Sequence, residues 1–162
     1  LTLKDLIQKK NINYIEFKRC SLVNNSNQTV SSFRDVGIHD LDLFDFLIGI
    51  EDDDEVTIRN VSNTYFGNIS KKSGINASFL WSNEFYKKER NITVVQNNKT
   101  IYADLLLGLI TIFSDEKEMP SEEITVENYS SIKNEIENFL SNKNYIIGYR
   151  AHKILIKNIN KV

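Results

Sequence analysis

From Glu55 to Phe113 the sequence is a succession of short apolar segments separated by turn residues, and this constrains the fold more than any other feature. Alternation of apolar and polar residues at period two marks a strand with one buried face. Glu55–Val61 (EVTIRNV) alternates cleanly, and Thr64–Ile69, Ala77–Trp81, Asn91–Val95 and Ile101–Phe113 read as further strands. Asn97 and Asn98 tolerate positive φ and suit a tight turn. Gly108, inside the last apolar run, predicts a bulge or bend of the kind that closed or strongly coiled sheets need. The connection from Trp81 to Asn91 carries Ser82, Asn83 and the charged run Glu84 to Arg90.

Helices flank this core. Leu3, Leu6 and Ile7 give a short amphipathic helix, with Thr2 and Asp5 as a variant capping box. Tyr14 to Arg19 reads as a strand, with Ile15, Phe17 and Arg19 on one face and Glu16, Lys18 and Cys20 on the other. Asp40 is placed to cap a helix over Leu41–Ile48, whose buried face is Leu43, Phe44, Leu47 and Ile48, with Gly49 as its stop. Pro120, the sole proline, precedes the longest expected helix, roughly Val126 to Ser141. Tyr145–Tyr149 and Lys153–Ile159 read as two final strands. With no internal repeat and no linker, the pattern predicts one α+β domain over residues 1–162. Its sheet is mostly antiparallel and barrel-like, with short flanking helices and one longer C-terminal helix. A chain that begins at Leu1 rather than Met is expected to be a fragment of a larger protein.

Hydrophobic content of 41% over 162 residues is enough for a real core. The longest apolar run, Leu105 to Phe113, is too short to cross a bilayer, and the N-terminus lacks the basic start and apolar stretch of a signal peptide. One cysteine, Cys20, rules out an intramolecular disulfide and makes a reducing cytoplasm the expected compartment. A net charge of -2 argues against a uniformly basic nucleic-acid binder. Positive charge is nevertheless clustered, at Lys18, Arg19 and Arg34, at Lys71 and Lys72, and at Lys87, Lys88 and Arg90, whereas acid gathers at Glu51–Glu55 and Asp115–Glu123. Such segregation can build a basic cleft on an acidic body.

Catalytic patterns are sparse. His39, His152 and Cys20 cannot assemble a four-ligand zinc site at normal spacings, and each histidine reads as a surface or packing residue. The sequence contains no G-x-S-x-G, phosphate-cradling glycine loop or dinucleotide fingerprint. Glu16-Phe17-Lys18 has the E-x-K spacing of many nucleases but lacks a completing acid on an earlier hairpin. EDDDE at Glu51–Glu55 lacks the alternating ligands and glycine of a calcium loop and reads as a solvated turn. The expectation is a non-enzymatic domain with no cofactor and no metal.

Between the strand at Tyr14–Arg19 and the apolar residues from Val36 lies a polar stretch of Asn, Ser, Gln and Thr, long enough to be functional or disordered. FKRCSLVNNSNQTVSSFRDVGIHDLDLFDFLIGI resembles the opening of the N-terminal domain of the restriction enzyme EcoRII, where a strand ending in Lys-Arg-x-Ser leads into a polar loop and a Gly-Ile strand. The matching pieces are Lys18, Arg19 and Ser21, the loop Asn24–Ser32, and Val36, Gly37 and Ile38. ASFLWSNEFYKKERNITVV is similar to the later basic hairpin of that family, and IYADLLLGLITIF to its closing strand. The family is the B3-type DNA-recognition pseudobarrel, shared with the C-terminal domain of BfiI. The resemblance implies a sequence-specific reader of double-stranded DNA in a prokaryotic restriction-modification system, joined in the full protein to an effector nuclease or NTPase. Its two arms would span Ser21–Arg34 and part of Ser82–Arg90. DNA contacts would then come from Lys18, Arg19, Asn24, Asn25, Asn27, Gln28, Arg34, Lys71, Lys72, Asn83, Lys87, Lys88 and Arg90, through base edges and phosphates. The alternative is a protein-binding module, such as an immunity protein or phage-encoded inhibitor, using the acidic patches as its contact surface.

Overall fold

In the computed structural model the described residues are 3–22, 37–114, 119–126 and 149–159. They form one open, mixed, eight-stranded sheet in the order β2-β3-β4-β1-β5-β6-β7-β8. The strands are β1 (Ile12–Leu22), β2 (Glu55–Val61), β3 (Thr64–Ser70), β4 (Asn76–Ser82), β5 (Glu84–Gln96), β6 (Lys99–Asp104), β7 (Leu109–Ser114) and β8 (Glu122–Thr125). Three helices accompany them: α1 (Leu3–Leu6), α2 (Ile38–Leu47) and α3 (Tyr149–Ile159). Adjacent strands run antiparallel except at the centre, where β1 and β4 are parallel. With β2 and β8 as free ends of the order, the sheet does not close, which corrects the expected B3-like pseudobarrel.

Register explains which residues form the core. Ile15 pairs with Ala77 and Val94, and Phe17 with Phe79 and Ile92, so their side chains share one face. That face continues through Ile101, Ala103, Ile110 and Ile112, all buried. α2 lies on it: Phe44 meets Phe17 and Phe79 edge-on, with ring centroids 6.2 Å and 5.9 Å away, while Phe17 and Phe79 stack at 5.0 Å. Trp81 extends the stack at 5.2 Å from Phe79. Gly67, across from Phe79 on β3, leaves room for the indole; a Cβ there would stand 2.9 Å from Trp81 ring atoms.

Several expected elements are revised. Ile101–Phe113 is two strands, and Gly108 closes the turn between them in the left-handed region, at φ +64°, rather than bending one strand. The charged run Glu84–Arg90 is the first half of β5, not a connection. Lys153–Ile159 lies inside α3, where Ala151 and Ile154, one turn apart, are the buried pair. The expected helix from Val126 to Ser141 falls, after Val126, outside the described residues. Among the described residues no helix is long and apolar enough to cross a membrane.

Candidate active site at the N-terminus of helix α2

The parallel pair β1–β4 gives the sheet one place where two neighbouring strands end on the same side. In open α/β sheets such carboxyl ends are where a ligand crevice forms. α2 runs back over these strands: Asp40 sits above Arg19 and Trp81, near their ends, and Phe44 above Phe17 and Phe79. The first turn of α2 is therefore held at the rim of the sheet.

Asp40 was expected to cap this helix, but α2 begins at Ile38 and Asp40 turns inward, only 3% exposed. Its carboxylate accepts from Arg19 Nε (3.0 Å to Oδ1, 2.9 Å to Oδ2), from Arg19 Nη2, and from Trp81 Nε1 at 2.9 Å. A buried charge survives only when paired and hydrogen-bonded in this way. With Asp40 fixed inward, its neighbour His39 projects outward and is exposed.

Asp42 lies three residues from His39, a spacing that makes helix residues neighbours. Burial, reinforced by nearby Asp45, pushes the Asp42 carboxyl upward, and His39 pulls it back. Its Oδ1 is buried without a hydrogen-bond partner. An imidazole at a helix start with a partly desolvated carboxylate beside it is chemically suited to exchanging a proton with a bound hydroxyl or carbonyl. The sign of the Asp42 shift also sets a stability test. A carboxyl whose folded pKa is raised binds its proton more tightly when folded, so its ionised form destabilises the fold as pH rises. Asp42→Asn is accordingly expected to raise the thermal midpoint at pH 7, with the gain vanishing as pH falls through the raised pKa; scans across pH check this.

Most of the described residues expected to meet DNA are engaged within the chain. Lys18 pairs with Glu89, and that contact raises the lysine's pKa and lowers the glutamate's. Lys87 reaches the same carboxylate at 3.2 Å. Lys71 is nearly buried and donates to Gly49 O (2.9 Å) and Asp54 Oδ2 (2.7 Å), while Lys72 pairs with Asp53 at 2.7 Å. Asn83 donates its backbone N–H to Asn63 O. Lys88 and Arg90 are exposed on β5. Asn24, Asn25, Asn27, Gln28 and Arg34 lie outside the described residues.

Other chemistry read from sequence resolves similarly. Carboxylate oxygens of Glu51, Asp53 and Asp54 lie within 4.8 Å of one another. Lysines supply their countercharge, since Lys71 takes Asp54, Lys72 takes Asp53 and Lys153 takes the adjoining Asp52 at 2.7 Å. A cavity of about 440 Å³ beside this turn is lined by Glu51, Asp52, Asp54, Arg150, Lys153 and Lys157 together with Ile50, Val56 and Ile154, and contains no histidine. Burial pushes the Cys20 thiol up to about 11, leaving it protonated and inert near neutrality.

Solved structures show what the fold is similar to. It matches part of the fold of several dehydrogenases and a ketoreductase. UDP-N-acetylglucosamine 3-dehydrogenase from Acidithiobacillus ferrooxidans superposes with a TM-score of 0.74 at 17% identity, over 91% of this chain and 52% of that one. A dehydrogenase from Clostridium difficile gives 0.71 at 18% identity, over 99% and 57%. A 3-ketoreductase from Actinomadura kijaniata, solved with TDP-benzene and NADP, gives 0.71 at 11% identity, over 94% and 54%. This chain thus spans about half the length of the structures it matches. No protein-family model and no curated protein matches it.

These likenesses overturn the resemblance to B3-type domains and, with it, the restriction-system DNA reader, the inhibitor alternative and the expectation of a non-enzymatic domain. The physical reason is that the Lys-Arg-x-Ser strand feeds an open sheet whose arginine anchors a helix rather than an arm. His39 is the residue that sequence reasoning set aside. The signal for it was the run Asp35-Val-Gly-Ile-His39-Asp40-Leu-Asp42, in which one histidine stands among three acids at the start of a helical pattern.

Proposed function

We propose that this chain is the substrate-side domain of a longer NAD(P)-dependent oxidoreductase acting on a secondary hydroxyl, or the matching ketone, of a nucleotide-linked sugar. The observation that carries this reading is His39, exposed and fixed at the rim of the parallel pair β1–β4, with Asp42 beside it. Oxidising a carbinol requires a base to accept the hydroxyl proton as the C–H bond breaks, and reduction requires the same group, protonated, to return it. His39 fills that role, with Asp42 beside it on the same face of the helix. The names of the matched enzymes, a UDP-sugar dehydrogenase and a ketoreductase bound to a TDP compound, point to the substrate class.

The chain's own residues do not fit a dinucleotide. Its sheet has one parallel pair rather than a doubly wound parallel set, and its sequence has no glycine fingerprint at a strand-to-helix turn. Cofactor binding is assigned to the part of such an enzyme that this chain does not match.

Incubating the full-length protein with NAD+ or NADP+ and a panel of UDP- and TDP-sugars tests the proposal. Formation of reduced cofactor with at least one sugar nucleotide is expected. No turnover with any panel member, in either direction, overturns it.

A further inference from the structure

Resting on the reading of His39 as the proton-transfer group, we propose that Arg19, Asp40 and Trp81 are positioning residues for it, setting the rotation of the first turn of α2 and hence where the imidazole stands. A helix advances about 100° per residue, so a side chain pinned inward at position 40 dictates the directions taken by 39 and 42. Those two then lie about 60° apart on the wheel, which is why they can share a proton-transfer site. Asp40 is pinned with unusual completeness. Both oxygens are engaged, Oδ1 by the Arg19 fork and Oδ2 by Arg19 Nε and Trp81 Nε1.

The anchors themselves cannot drift. Arg19 and Trp81 are direct register partners on the two parallel strands, so the fork and the indole rise from adjacent points of the sheet. The Trp81 side chain is fully buried against Phe79 and beneath the bare Cα of Gly67. Helix position, rather than helix formation, is what this arrangement controls: α2 could bury Leu41, Phe44 and Leu47 with a neutral residue at 40. A buried ion pair adds little net stability over an apolar substitute but fixes one geometry. A misplacement of about 1 Å at a reacting group can cost about 100-fold in rate, so the fixed geometry has catalytic value.

Two conservative variants test this in the full-length enzyme. Trp81→Phe keeps the aromatic stack and removes only the donor to Oδ2; Arg19→Lys keeps the charge and removes the fork. Each is expected to lower kcat about tenfold or more, with KM for the sugar nucleotide and cofactor changed less than about twofold. The imidazole resonances of His39 and His152, assigned by their loss in His39→Ala and His152→Ala, serve as internal signal and reference. The His39 resonance and its titration should shift in both variants while His152 stays in place. Ile112→Val, a core change on β7, is the control for lost stability alone and should leave both histidine signals and kcat unchanged. If Arg19→Lys does not fold, Trp81→Phe carries the test by itself. A folded Trp81→Phe enzyme with wild-type kcat and an unmoved His39 signal overturns the positioning role, as does an equal kcat loss in Ile112→Val. Wild-type turnover in a His39→Ala enzyme instead overturns the underlying assignment of the base.

Discussion

Replacing His39 with alanine in the full-length protein is expected, if it acts as the proposed proton-transfer group, to lower kcat by about 100- to 10,000-fold, the range general acid–base groups supply. The side chain is exposed and is not among the core residues, so the thermal midpoint should hold, as exposed substitutions typically change stability by less than about 0.5 kcal/mol. Substrate KM should move little, because a proton-transfer group acts chiefly in the transition state. Turnover against pH checks the role directly: the wild type should show a limb reporting an imidazole, and His39→Ala should lose that limb together with its rate. Undiminished kcat in the variant would remove His39 from the chemistry.

The largest loss of stability is expected from Trp81→Ala. This side chain is fully buried, stacks on Phe79 and supplies one of the donors to a carboxylate with almost no access to water. Removing it opens a cavity that neighbours cannot fill, costing about 3–5 kcal/mol for a buried tryptophan. The abandoned Asp40 oxygen adds about 1–3 kcal/mol. Domains of this kind have roughly 5–15 kcal/mol in total, so much or all of the folded population is at stake. Urea unfolding followed by far-UV circular dichroism is the measurement, since the chain has one tryptophan and the variant loses its fluorescence. A midpoint close to wild type would mean that the stack and the Asp40 bond are not what holds α2 down.

How much of this was legible in the sequence depended on whether the relevant forces were local. β2 was read with its observed ends, because Glu55–Val61 alternates and its neighbours in sequence are turn residues. The stop at Gly49 was also local, and the structure gives it φ +98°. β5 was half missed for a physical reason: Phe85 to Arg90 projects beyond β6, pairs only with the end of β1 and is wetted on both faces, so no alternation betrays it. α3 was misread because Ile154 and Ile156 suit a strand at period two, although Ile156 is exposed and Ala151 is the true partner of Ile154. The site was least legible of all. Asp40 looks like a cap until Arg19, 21 residues away, and Trp81, 41 residues away, turn it inward. Nothing local distinguishes a histidine beside such an anchor from one on an ordinary surface.

The place of β1 has a further consequence for how the chain comes into being. It precedes its two partners, β4 and β5, in sequence, so it has no neighbour until residues 76–96 exist. A growing chain can close the β2–β3 hairpin early, but Ile15 and Phe17 must wait, apolar and unpaired, for the two strands that flank them. Non-local closure of this kind is slow and leaves sticky sequence exposed while it is pending. The centre of the sheet thus cannot form until β4 and β5 are both available to flank β1.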